Sequence, residues 1–141
     1  NGQLKFIGIL IYWHLKSNYS VDISPWARIG EGLRLMHAFN VVIGPGATIG
    51  SYCKVFNGVT LGKARPDFVF LDMPSVGNDC ILGTGSKLLG SIVIGDGLLV
   101  GANVVVRKNV VTDFDIMQTR LPIVRIEYNF RSSVKYCSKN E

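Results

Sequence analysis

From Ile23 onward an aliphatic side chain returns every sixth residue: Ile23, Ile29 and Leu35, then Ile43, Ile49, Val55 and Leu61, then Val76, Leu82, Leu88, Ile94, Val100 and Val106. Glycine follows directly in eight of these thirteen places, at Gly30, Gly44, Gly50, Gly62, Gly77, Gly83, Gly95 and Gly101. Four residues after the aliphatic stands a second small or apolar side chain, as at Ala27, Ala47, Cys53, Val59, Cys80, Ser86, Leu98 and Val104. A period of six matches neither the two-residue alternation of a strand nor the 3.6 of a helix. It matches a short strand followed by a turn, and three such units close a triangular coil of about eighteen residues. The pattern predicts the aliphatic inward, the glycine easing the turn, and the second small residue packed near the corner. A buried aliphatic contributes roughly 1.5–3 kcal/mol, against an ordering cost of about 1–2 kcal/mol per residue. One coil is therefore unstable alone, and stacked coils share a core. The fold class expected is all-β, a parallel β-helix.

Two breaks interrupt the register. The period slips from six to eight between Leu35 and Ile43, and residues 62–75 leave the coil as a loop mixing Lys63 and Arg65 with Phe68 and Phe70. Long loops on rigid solenoids usually bind something, a ligand or a neighbouring subunit. Residues 1–20 do not follow the period, and their mainly apolar stretch from Leu4 to Leu15 predicts a short helical cap over the first coil. Residues 21–111 form the β-helix, and residues 112–141 an irregular tail. The runs Gly44-Pro45-Gly46 with Gly50 and Gly95-Asp96-Gly97 with Gly101 imitate a dinucleotide-binding loop. No helical pattern follows either, as a phosphate-binding turn requires, so that reading fails.

Composition narrows the function classes. The 141 residues fit one domain, and charged residues at 18% fall below the usual quarter, which suits a protein that also buries surface against copies of itself. The net charge of +5 comes from scattered cations without a nucleic-acid motif, so no nucleic-acid partner is expected. Cys53, Cys80 and Cys137 form no CxxC pair, which argues against a disulfide framework or a structural zinc site and for a reducing compartment. The longest apolar run, from Phe6 to Trp13, is too short to span a bilayer, leaving a cap or peripheral membrane association.

Chemistry is expected at the slip. His37 stands two residues past Leu35, where an enlarged corner pushes side chains outward. Asp22 precedes Ile23, at the equivalent corner one coil earlier. Stacking brings the two together, and a carboxylate that orients an imidazole makes it an effective base. His14 lies in the apolar leader and reads as structural. With two histidines in the chain, a three-histidine zinc site is disfavoured, and no metal is expected.

The residues resemble the serine acetyltransferase branch of the hexapeptide acyltransferases. The likeness runs through Val21-Asp22-Ile23-Ser24-Pro25, Arg28-Ile29-Gly30-Glu31-Gly32-Leu33, His37, Gly58-Val59-Thr60-Leu61-Gly62, residues 81–90 and residues 100–105. It implies left-handed coiling, a homotrimer with sites between subunits, His37 as general base, Asp22 as its orienting carboxylate, and acetyl-CoA as co-substrate. Gly62, Lys63, Thr84 and Ala102 fall on the positions that line the acetyl-CoA groove, and Lys108 is a further candidate for its phosphates. Two departures stand out. An acidic residue before the histidine and an Arg-His pair ending the long loop are replaced by Met36 and Asp72-Met73. Residues 35–39 and the apolar leader resemble instead the relatives that acetylate sugars in polysaccharide biosynthesis. The expected activity is transfer of acetyl to a glycan hydroxyl, with serine as the alternative acceptor and a silent trimerisation scaffold as the non-enzyme alternative. A cytoplasmic location, at or near the inner membrane surface, goes with that reading.

Overall fold

Strands of two or three residues, one per hexapeptide, stack into three flat parallel sheets around a triangular core. The structure, a computed structural model, describes residues 2–65, 72–111 and 122–125. The first sheet holds β1 (Asp22–Ile23), β4 (Val42–Ile43), β7 (Thr60–Gly62), β10 (Lys87–Leu89) and β13 (Val105–Val106). The second holds β2 (Arg28–Ile29), β5 (Thr48–Ile49), β8 (Ser75–Val76) and β11 (Val93–Ile94). The third holds β3 (Arg34–Met36), β6 (Lys54–Phe56), β9 (Ile81–Leu82) and β12 (Leu98–Val100), and β14 (Ile123–Arg125) closes it by pairing antiparallel with β12. Of the expected tail, described only at residues 122–125, residues 123–125 form a strand laid on the side of the last full coil. The fold is a left-handed parallel β-helix.

Pairing distances along the chain reproduce the two breaks. Val42 pairs with Thr60, eighteen residues on, the length of an uninterrupted coil. Asp22 pairs with Val42, twenty on, because the slip adds two residues. Thr48 pairs with Ser75, twenty-seven on, so the long loop adds nine without disturbing register above it. The central part of that loop, with Phe68 and Phe70, lies outside the described residues. Its return is anchored. Met73 is buried against Gly44, and Asp72 accepts a 2.6 Å hydrogen bond from the Ser91 N–H.

The inward aliphatics form the core. From Ile43 to Val106 all ten are at most 3% exposed, whereas Ile29 in the first coil is 39% exposed. Among the described residues no coil lies beneath the first, and α1 (Gly2–Tyr19) packs there against β1. A cleft of about 370 Å³ separates α1 from that coil, lined by Ile11, Tyr12, Leu15, Ile23 and Pro25 among others. The outer side of α1 remains apolar and exposed at Phe6, Ile9, Leu10 and Trp13.

The glycines after the aliphatics do a different job from the one expected. None of the eight has a positive φ; after seven of them the left-handed turn residue lies two positions later, at Gly32, Gly46, Tyr52, Asp79, Gly85, Gly97 and Asn103. What the eight provide at most places is close approach. A Cβ on Gly50 would stand 2.6 Å from the Gly77 carbonyl carbon, and one on Gly30 2.6 Å from that of Gly50. Coil stacking at the strand spacing of about 4.8 Å leaves no room there. Gly62 is the exception, with its nearest neighbour at 3.6 Å.

Candidate active site

One edge of the prism, where the third sheet returns to the first, carries His37, Asp22, Thr84 and Ala102. Its rungs are Ser20, then His37 to Asn40, Asn57-Gly58, Thr84-Gly85 and Ala102-Asn103. Each rung donates a backbone N–H to the carbonyl of the rung before it. Asn40 bonds Tyr19 at 3.3 Å, Gly58 bonds Phe39 at 3.0 Å, Gly85 bonds Asn57 at 2.9 Å and Asn103 bonds Thr84 at 2.8 Å. Left-handed φ recurs at every rung, at 52° for Ser20, 52° for Asn40, 71° for Gly58, 70° for Gly85 and 58° for Asn103. The turn needs that conformation, and glycine or asparagine supplies it at low cost.

His37 breaks the series. The two extra residues give the corner a second left-handed position, and it falls on His37, with φ of 58°. This costs a non-glycine residue about 1–2 kcal/mol, and such strain gathers at functional sites. The result is an exposed imidazole beside an exposed Phe39, while Ala38 turns toward the core and Val41 takes the buried corner place.

Asp22 opens β1 on the same edge, one coil below, beside Val42. Both its oxygens are held by α1. Tyr12 Oη donates to Oδ1 at 2.9 Å, and Lys16 Nζ to Oδ2 at 2.9 Å. The Lys16 bond first, then that of Tyr12, hold the carboxyl below its ordinary value, against a smaller opposing effect of burial. The Asp22 bond in turn raises the Lys16 ammonium. Among the described residues, no hydrogen bond joins Asp22 to His37; a carboxylate oxygen accepts two bonds, so each keeps one lone pair open.

The remaining candidates divide between two edges. Thr84 and Ala102 are exposed on the return edge with His37, and Thr84 Oγ1 donates to Asn57 Oδ1 at 3.2 Å. Gly62, Lys63 and Lys108 stand across the first sheet, at the far ends of β7 and β13. The Gly62 carbonyl accepts from Gly90 at 2.9 Å. Sequence reasoning passed over three side chains. Tyr12 and Lys16 hold Asp22, and Lys87 turns from the outer face of β10 to donate to the carbonyls of Gly58 at 2.9 Å and Gly85 at 3.3 Å. The spacing Tyr12–Lys16 marks one helix face, but nothing in the sequence aims it at Asp22.

Cys53 and Cys80 stack in register inside another edge, fully buried, their thiols on the carbonyls of Gly77 and Gly95, both at 3.1 Å. The neighbouring Cys53 thiol, with burial, pushes the Cys80 thiol up. Neither sulfur faces the return edge. Cys137 lies outside the described residues. Among the described residues no three His, Cys, Asp or Glu side chains gather as a metal site would need, and no helix is long and apolar enough to cross a membrane.

Residues 73–108 match the family described as bacterial transferase hexapeptide (six repeats). The matched stretch runs from β8 to β13. Beyond the matched repeats, all 141 residues align at 35% identity with a serine acetyltransferase of Buchnera aphidicola from Acyrthosiphon pisum, covering half of it. Among solved structures, soybean serine acetyltransferase complexed with serine superposes with a TM-score of 0.69 at 35% identity, over 74% of this chain and 43% of that one. Serine acetyltransferase from Brucella abortus in complex with coenzyme A gives 0.65 at 34% identity, over 68% of this chain and 38% of that one. The chain thus spans about half the length of this curated relative and less of the solved ones. These relatives are named for serine, and they do not support the expected placement nearer the sugar acetyltransferases.

Proposed function

We propose that this hexapeptide β-helix is the catalytic unit of an acetyl-CoA-dependent O-acetyltransferase acting on serine, with His37 as general base and Asp22 as its orienting carboxylate. The observation that carries the reading is the enlarged return-edge corner. It holds an exposed imidazole, carried on a left-handed backbone position, one coil above a fixed carboxylate, in a chain aligned throughout with a serine acetyltransferase.

His37 takes the proton from the acceptor hydroxyl as its oxygen attacks the thioester carbonyl. The tetrahedral oxyanion forms against main-chain N–H groups, then collapses, the carbon–sulfur bond breaks, and His37 returns the proton to the departing sulfur. The thioester reaches the site along Thr84 and Ala102, where small side chains let a substrate lie against the main chain. Gly62, Lys63 and Lys108 line the other edge of the first sheet; in the homotrimer that belongs to this proposal, a neighbouring prism brings such an edge to the cleft. Lysines there suit the phosphates of coenzyme A. A cytoplasmic location fits the same reading.

Serine replaces the glycan hydroxyl as the leading acceptor because the relatives are named for it. A glycan hydroxyl is kept as the second reading on one observation. Met73 is buried against Gly44 and Met36 is half-buried, so neither offers a charge to read an amino acid's ammonium or carboxylate. Thiol release from acetyl-CoA, measured with serine and with mono- and oligosaccharides, separates the two. His37→Ala is expected to lower the rate by about 10²–10⁴ while calorimetry still detects coenzyme A. Transfer at the parental rate in that variant would remove His37 as the base.

A further inference from the structure

We propose that Tyr12 and Lys16 of α1 are positioning residues for this site, acting through Asp22, so that the entry helix sets the geometry of the catalytic pair. The inference rests on the assignment of His37 and Asp22 made above.

The two side chains sit one turn apart and take different oxygens of one carboxylate, each at 2.9 Å. They also hold each other, since Lys16 Nζ donates to Tyr12 Oη at 3.3 Å and lies 5.5 Å from the centre of the Tyr12 ring. Asp22 therefore has one orientation, fixed from two directions. As a source of stability the cluster is weak, because the ion pair is close to half exposed on both sides and such pairs contribute little. Its main effect is to remove rotamer freedom from the carboxylate while leaving a lone pair on each oxygen for a further donor.

A second link joins the same helix to the other half of the pair. The last residue of α1, Tyr19, accepts the Asn40 N–H at 3.3 Å, within the enlarged corner that carries His37. Leu15 packs against the core, and its carbonyl accepts from Val21 at 3.4 Å, one residue before Asp22. The helix thus grips Asp22 by side chains and the His37 corner by main chain, across the short passage of Ser20 and Val21.

Freed from α1, Asp22 would divide its time among about three staggered rotamers. The expected loss in kcat for the Tyr12→Phe, Lys16→Met double variant is about three- to tenfold, with KM for acetyl-CoA unchanged. Lys16→Arg should keep most of the rate. In an Asp22→Asn background the double change should lower the rate no further, a coupling that a merely structural role does not produce. Circular dichroism and the thermal midpoint establish that each variant is folded at the assay temperature. If the double variant is not, Lys16→Met alone, at an exposed position, is read by the same cycle. Parental or raised kcat overturns the proposal, as does an equal loss with and without the Asp22 carboxylate. Parental activity in His37→Ala would instead remove the base assignment on which it rests.

Discussion

Replacing Gly50 by alanine tests whether absent side chains set the coil spacing. The added Cβ would stand 2.6 Å from the Gly77 carbonyl carbon, 2.7 Å from the Asn78 nitrogen and 2.6 Å from Asn78 Oδ1. Ordinary carbon contacts begin near 3.5 Å, so the two coils must part by nearly an ångström on that side. The bonds at risk are Gly50 N to the Val76 carbonyl at 2.9 Å and Ser51 N to Asn78 Oδ1 at 2.8 Å. Stretched by that amount, both pass out of hydrogen-bonding range. Two bonds at about 1 kcal/mol each, with about 1–2 kcal/mol for displaced packing, give about 3–4 kcal/mol. Alanine's smaller unfolded-state entropy returns roughly 0.4–1 kcal/mol. The net, about 3 kcal/mol, corresponds to a fall in Tm of roughly 10 °C for a chain of this size. Gly62→Ala is the internal control, because its Cβ meets nothing closer than 3.6 Å. Urea and thermal unfolding of both variants decide the matter. Equal midpoints for the two, or a Gly50→Ala midpoint within about 2 °C of the parent, would refute the close-approach explanation.

Two further outcomes follow from single groups. Ser86 is fully buried at the inner corner and its hydroxyl finds no partner among the described residues, so Ser86→Ala should raise stability by about 1 kcal/mol, read from the urea midpoint. Asp22, its carboxyl lowered by Lys16 and Tyr12, contributes stability that is present above its ordinary value of 3.8 and is lost as pH falls through the lower folded value. The stability difference between parent and Asp22→Asn should therefore shrink on acidification below that point and stay constant above it; a difference that grows in acid contradicts the ion-pair account.

The repeat itself was readable along the chain because one rule, an inward aliphatic every sixth residue, fixes strand, corner and register together. The eight-residue step at Leu35 and the insertion at residues 62–75 were readable for the same reason, since a break in a strict period is visible without coordinates. The role of the glycines was not. Whether Gly50 eases a turn or makes room depends on which atom the neighbouring coil places beside it, and that neighbour is twenty-seven residues away. The acceptor was likewise beyond the reach of local likeness around Met36 and Phe39; the relative aligned over the whole chain is named for serine.

What the sequence determined by itself is the prism, because hydrophobic burial at a fixed period leaves a chain of short strands few other ways to close. It also placed His37 and Asp22 on one edge, since coil length converts separation along the chain into height. What only the tertiary structure decided is who holds Asp22. The grip of Tyr12 and Lys16 depends on how a helix outside the period docks on the first coil, and that docking is set by packing between elements that share no repeat.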